Sequence, residues 1–386
     1  MIDTIVPPLA LVCIALAGIG CLYAIAAAVA VRRYARQSAA RNGTVVAVTV
    51  LKPLHGAEPG LYANLRSFCA QDYPGNVEIV FGAQNAGDPA LAVARQVISE
   101  FPGRSFEIVM NTDTTGVNGK ISNLIAMQSA IHNDVIVISD SDIRVGPDYL
   151  RTIVETLSEP RVGLVTCLYR GEADASVWSR LAAMAIDYHF LPNVLMGLAL
   201  GLARPCFGST IALTRRTLED IGGFAAFAEQ LADDHAMGEA VRARGMRVVL
   251  APVVLAHHCS ERSLADLLRH EVRWARTIRA IDPAGYAGSV ITHALPLALI
   301  AGALRGFDVV GLGAIVSALA CRVVLMIQVD HTLGLPSGRW WLAPVRDVLS
   351  VAVFVASFFV AVVSWRGQRY IVRRDGTMVE VKGSGL

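Results

Sequence analysis

Residues 6–31, VPPLALVCIALAGIGCLYAIAAAVAV, carry no charged side chain. A bilayer core is crossed by about 20 apolar residues of helix, and within it every backbone polar group must be satisfied inside the segment. The run therefore predicts a transmembrane helix. A signal peptide would place its positive charges ahead of the run, whereas Arg32, Arg33, Arg36 and Arg41 follow it. By the positive-inside rule these arginines stay cytoplasmic and the N-terminus faces out.

Apolar stretches return at 288–304, 307–328 and 348–365, the first two joined by the polar link Arg305–Asp308. Three crossings after a cytoplasmic domain put the tail outside. Arg366, Arg369, Arg373 and Arg374 favour inside, so one of the three segments is a candidate re-entrant loop. Arg322, within an apolar run, is expected to face protein or snorkel. Residues 181–203 are apolar but hold Asp187, His189 and Pro192; an interfacial or re-entrant segment and a buried helix are equally good readings. Trp340-Trp341 suits a membrane interface. The expected organisation is an N-terminal helix and basic stalk (1–41), a cytoplasmic domain (42–285), C-terminal membrane helices (286–365) and a basic tail (366–386).

The composition agrees with a soluble domain held between membrane segments. Hydrophobic residues make up 54% of the 386 and cluster at the ends. A net charge of +2 supplies no basic field for nucleic acid. The seven cysteines form no CxxC pair and suit a reducing cytoplasm.

Between the apolar ends, strand patterns at 44–56, 72–89, 106–111, 134–140 and 162–171 alternate with helical patterns at 61–71, 90–102 and 119–133. Such alternation predicts an α/β fold with a Rossmann-like, mostly parallel sheet covered on both faces. Ligands of such sheets sit at the carboxyl ends of the strands. There the fourth strand runs into Asp140-Ser141-Asp142. Turn chemistry alone can place aspartates at a strand end. Two hard carboxylates on alternate residues also suit Mg2+ or Mn2+, which takes one or two protein acids plus phosphate oxygens.

A second acidic pair, Asp233-Asp234, opens a predicted helix, where it suits the helix dipole; capping suffices for Asp233. An acid at such a place can also serve as a general base toward a hydroxyl. Within RHEVRWART, Arg269, His270, Arg273, Trp274 and Arg276 lie within about two helical turns. They form either a basic membrane-surface helix or a cationic wall for phosphate. His257-His258-Cys259 is read as a strand-end loop in preference to a metal cluster, and Gly222-Gly223 as turn and packing residues.

Together "SDSDIRV", "FGST…RR", "GGFAAFAEQLADDHAMGEA" and "HEVRW" resemble the D…DxD…D…(Q/R/H)xxRW pattern of processive-type GT-A glycosyltransferases. The chain is more similar to ceramide glucosyltransferases and to the bacterial glycosyltransferases associated with hopanoid biosynthesis. "LKPLHGAEPGLYANLRSF", "QNAGDPA", "GVNGKISNL", "GLVTCLYRG" and "WRGQRYIVRRDGT" carry that likeness from about residue 45 to the end.

The resemblance implies a GT-A catalytic domain in a multi-pass membrane protein, with the domain on the cytoplasmic side of a bacterial inner membrane. It implies metal binding by Asp140 and Asp142, with Mg2+ or Mn2+ as the ion. It makes Asp234 the catalytic base, with Asp233 the lesser choice. It sets His270, Arg273 and Trp274 beside the diphosphate and the acceptor, and Lys120 in the donor region. Where the family commonly has an Asp in the nucleotide pocket, this chain has Asn85, with Asp88 three residues on, and either can serve the uracil. The implied reaction is inverting transfer of one glucose or N-acetylglucosamine from UDP-glucose or UDP-N-acetylglucosamine to a lipid hydroxyl, on ceramide or a hopanoid polyol. A competing reading is a non-catalytic membrane scaffold or transporter subunit that kept the fold.

Overall fold

The computed structural model describes residues 2–37, 43–110, 112–336, 339–360, 362–365, 368–373 and 376–381. Arg41, Arg366 and Arg374 of the charge argument lie outside them. The chain forms two compact units. One is helical, with Met1–Gln37, Val177–Arg204 and Glu261–Ser364. The other is α/β, with Ser38–Ser176, Pro205–Ser260 and Trp365–Leu386. The segment 181–203 and the Arg269–Arg276 cluster, placed by sequence within 42–285, thus group with the helices. The tail groups with the sheet.

The α/β unit is built on eight strands: β1 Val48–Pro53, β2 Val77–Ala83, β3 Ser105–Met110, β4 Val135–Ile138, β5 Ile143–Arg144, β6 Val162–Ala173, β7 Ile211–Thr214 and β8 Arg247–Cys259. Their order is β3-β2-β1-β4-β7-β6-β8-β5. β1 to β4 run parallel, β6 runs parallel to β8, and β7 and β5 are antiparallel to their neighbours. This is the mixed, mostly parallel sheet the alternation predicts. β4, VIVI, reads as an unbroken apolar run because both faces are covered. Val135 and Val137 of β4 pack into one core with Val50, Phe68 and Phe81. Ile136 and Ile138 pack into the other with Leu51, Val80, Ile121 and Leu124.

Several local readings change. β4 stops at Ile138, so Asp140 lies in the loop beyond it. His257 to Cys259 are in β8, paired with β6 and β5, and do not form a loop. Asp233 is not a cap: the helix Asp233–Ala243 starts after Ala232 with no capping side chain. Gly222 and Gly223 have φ of 99° and 69°, as turn residues do.

In the helical unit, Pro7–Tyr34, Val177–Ala199, Val309–Leu333 and Trp340–Phe359 are long and apolar enough to cross a membrane. The stretch read as a span at 288–304 is broken: Pro283–Thr292 and Ala294–Leu304 meet at 63°. The last helix ends at Phe359, and Val362–Trp365 is already strand, so 348–365 is not one span. Arg322 faces protein, pairing with Asp347 at 2.8 Å and donating to the Tyr188 carbonyl at 2.6 Å. Trp340 and Trp341 are exposed.

Candidate active site

β1, β2 and β4 are adjacent and parallel, so the loops after them share one edge of the sheet. Asp140 and Asp142 occupy the loop after β4. The Asp140 N–H donates to the Gly208 carbonyl at 3.2 Å. The Asp142 carbonyl accepts from the His258 N–H at 2.9 Å, and its carboxylate lies 3.6 Å from His257 Nδ1. Both side chains are about one-third exposed, at 36% and 32%.

Gly208 joins this loop to the second acidic pair. Its carbonyl holds Asp140, and its N–H donates to Asp234 Oδ2 at 2.8 Å. A Cβ here would sit 2.5 Å from Asp140 Oδ2 and 2.9 Å from Lys120 Nζ, so any larger residue would push the Asp140–Lys120 pair out of its present place. The His235 N–H donates to Asp234 Oδ1 at 2.7 Å.

Lys120 binds the two pairs together. It sits in the first turn of the helix Gly119–Met127, whose N-cap Asn118 accepts from the N–H groups of Lys120 and Ile121. Its Nζ lies 2.8 Å from Asp140 Oδ1 and 3.2 Å from Asp233 Oδ2, and its side chain is only 10% exposed. Burial works against its charge, but Asp140, Asp233 and Asp234 more than offset that and hold the ammonium above its ordinary value. Burial pushes the Asp234 carboxyl up to about 6, with Asp233 adding to the rise and Lys120 opposing it. Asp140 is also raised, by burial first, against the pull of Lys120.

Two contributors escaped the sequence reading. Lys52 in β1 is fully buried. Its Nζ donates to the Asp140 carbonyl at 2.5 Å and to Ser139 Oγ at 3.3 Å, over the face of Phe68. Burial pulls its amine down to about 7. The signal was a single lysine within the apolar strand VTVLKP. Gly208 was quoted only as part of a motif.

Asp88 accepts the Gly56 N–H with both oxygens, at 3.0 and 3.1 Å, and the Ala90 N–H at 2.8 Å. Asn85 is exposed, and its Oδ1 accepts from the Gly87 N–H at 2.8 Å.

His270, Arg273 and Trp274 belong to the helical unit, half-buried on the helix Leu264–Ile281. Ser263 caps that helix by accepting the Asp266 N–H at 3.1 Å. His270 Nδ1 lies 2.8 Å from Glu261 Oε1, and its ring meets Trp274 edge-on with centroids 4.3 Å apart. The carboxylate thereby fixes the imidazole's orientation. On the same helix, Glu271 takes the guanidinium of buried Arg346 at 2.6 and 2.7 Å.

A family profile described as glycosyl transferase family 21 matches residues 11–378. The chain belongs to glycosyl transferase family 21. Ceramide glucosyltransferase 1 of Caenorhabditis elegans is 22% identical over 354 residues, covering 88% of this chain and 75% of the relative. Ceramide glucosyltransferase 3 of the same organism is 23% identical over 357 residues, covering 88% and 76%. A mannosyltransferase from Pyrobaculum calidifontis, solved with GDP-Man and Mn2+, superposes with a TM-score of 0.52 at 20% identity, covering 91% of this chain and 99% of that one. That likeness shows the fold, and the α/β unit of this glycosyltransferase is GT-A.

Proposed function

We propose that this glycosyltransferase moves one glucosyl group from UDP-glucose to the primary hydroxyl of a ceramide-type lipid, with inversion. The observation that carries the reading is the cluster of Asp140, Lys120, Asp233 and Asp234, joined through Lys120 Nζ and packed about the side-chain-free Gly208. It lies at the carboxyl edge of a parallel sheet, in a chain alike over most of its length to ceramide glucosyltransferases. Four apolar helices supply the membrane tether a lipid acceptor requires.

The site fits a divalent cation. Asp140 and Asp142 offer hard, partly exposed oxygens, and the missing Cβ of Gly208 leaves Asp140 Oδ2 approachable. When bound, the ion neutralises charge on the diphosphate. Lys120 keeps its proton and balances the acids around it. Asp234, with a carboxyl near 6, is ionised at neutral pH and takes the proton of the lipid hydroxyl. The hydroxyl oxygen bonds to the anomeric carbon as the bond to the UDP oxygen breaks, and that electron pair leaves with UDP. Asn85 is our choice for the uracil contact, because it is exposed and its amide offers an Nδ2 donor as well as Oδ1, whereas Asp88 is half-buried and bonded to the Gly56 and Ala90 N–H groups.

The purified protein, given Mn2+ or Mg2+, should convert ceramide plus UDP-glucose to glucosylceramide, read by mass spectrometry. UDP-N-acetylglucosamine and a hopanoid polyol are the competing arms. Absence of sugar transfer to every lipid would return the scaffold reading. Asp142→Ala should weaken UDP binding at least tenfold with metal and leave the residual binding in EDTA unchanged; equal loss in both would remove the metal from the account.

A further inference from the structure

After its last apolar helix the chain returns to the α/β unit. Gln368–Val372 and Met378–Glu380 form an antiparallel pair there, with Tyr370, Val372 and Met378 buried. The turn between them reaches the loop that leads into Asp233 and Asp234. The Leu231 N–H donates to the Gly376 carbonyl at 3.1 Å, and the Met378 N–H donates to the Glu229 carbonyl at 2.9 Å, flanking an antiparallel bridge between Gln230 and Thr377. Gly376 has a φ of 80°, and a Cβ there would lie 3.0 Å from Gln230 Oε1.

The other side of the same loop is also held. The N–H groups of Val117 and Asn118 donate to the Ala228 carbonyl at 3.1 and 2.8 Å. Asn118 Nδ2 donates to the Gln230 carbonyl at 2.8 Å and to Asp233 Oδ1 at 3.2 Å. Residues 228–231 are therefore gripped between the turn that presents Lys120 and the returning tail. With the tail side removed, a short loop pinned along one edge would have to hold two adjacent carboxylates against each other.

We infer that Gly376–Met378 is a positioning strap: its backbone pairing with Glu229–Leu231 sets the placement of Asp233 and Asp234 against Lys120 and Gly208. The catalytic part of this inference rests on the proposed transfer reaction. The backbone bonds of the strap go to Glu229 and Leu231, in the loop that leads into Asp233 and Asp234, so its effect is expected first on the base and only secondarily on nucleotide capture.

The test uses full-length protein and two kinds of variant. Met378→Pro removes the N–H given to Glu229, and Gly376→Ala forces a side chain toward Gln230. Met378→Leu keeps both the N–H and the buried side chain. Hydrogen exchange should rise at least tenfold at the amides of residues 229–236 in Met378→Pro and Gly376→Ala, with β1 to β4 unchanged. In the same variants kcat should fall at least tenfold while the Kd for UDP with Mn2+ stays within twofold, and Met378→Leu should restore both readouts. Wild-type exchange at 229–236 in both variants overturns the strap. So does a parallel loss of UDP binding and of protection across the sheet, which would make the tail merely structural. If the wild-type enzyme transfers no sugar, the reaction fails as a reading, and the exchange data alone decide the strap.

Discussion

At the scale of single residues, burial around a charged cluster is the decisive quantity. The Asp234 carboxyl is pushed up to about 6. Below that pH it is protonated and cannot accept, so kcat/KM should drop about tenfold per unit below pH 6 and level off above it. Asp234→Asn should cost about 10²- to 10⁴-fold in turnover, leave UDP-sugar binding intact and abolish the acidic limb. A pH profile of both proteins checks this, and an unchanged limb in the variant would reassign the base. Gly208→Ala tests the same cluster sterically. Its Cβ would meet Asp140 Oδ2 at 2.5 Å, and a displaced reacting group can cost about 10²-fold. Turnover should fall by that order while circular dichroism stays that of the wild type.

At the scale of elements, a buried ion pair secures the Leu264–Ile281 helix. Arg346 is 1% exposed and held by both oxygens of Glu271. Removing one partner of a buried pair costs about 3–5 kcal/mol, whereas apolar replacement of both can be neutral. Glu271→Ala should therefore lower the Tm in detergent strongly, and Glu271→Leu with Arg346→Met should recover most of the loss. The sequence disclosed the strands and helices of the sheet because their periodicity reports which faces are buried. It also singled out Asp140, Asp142 and Asp234 as candidates, since acids at strand and helix ends stand out against apolar runs. Lys52, Asn118 and Asp233 were harder to read. Their roles depend on partners 88, 115 and 113 positions away, and no local pattern encodes such pairings. The breaks of the membrane segments were equally hidden, because a bent pair and a straight span share one hydropathy profile.

At the scale of the whole molecule, strand pairing constrains the path through a bilayer. β6 precedes Val177–Ala199 and pairs with β8, which follows it. If the folded unit lies on one side of a membrane, that segment is expected to enter and return without a net crossing, as a re-entrant or interfacial piece would. The tail, bonded to Glu229–Leu231, likewise demands an even number of crossings between residues 260 and 365. If Val309–Leu333 and Trp340–Phe359 supply those two, the bent pair is expected to be re-entrant, which would reconcile the path with the basic tail. In a cysteine-depleted background, an impermeant maleimide should label Pro336→Cys from outside and Leu202→Cys and Phe307→Cys only from inside; external labelling at Leu202→Cys would refute the path. The returning tail also sets an order of events during biosynthesis. Residues 376–378 follow every described apolar helix in the chain, so if the strap acts as inferred, its pairing with residues 229–231 can form only after those helices have been made. Competence to react would then arrive last, as a consequence of where in the gene the clasp is written.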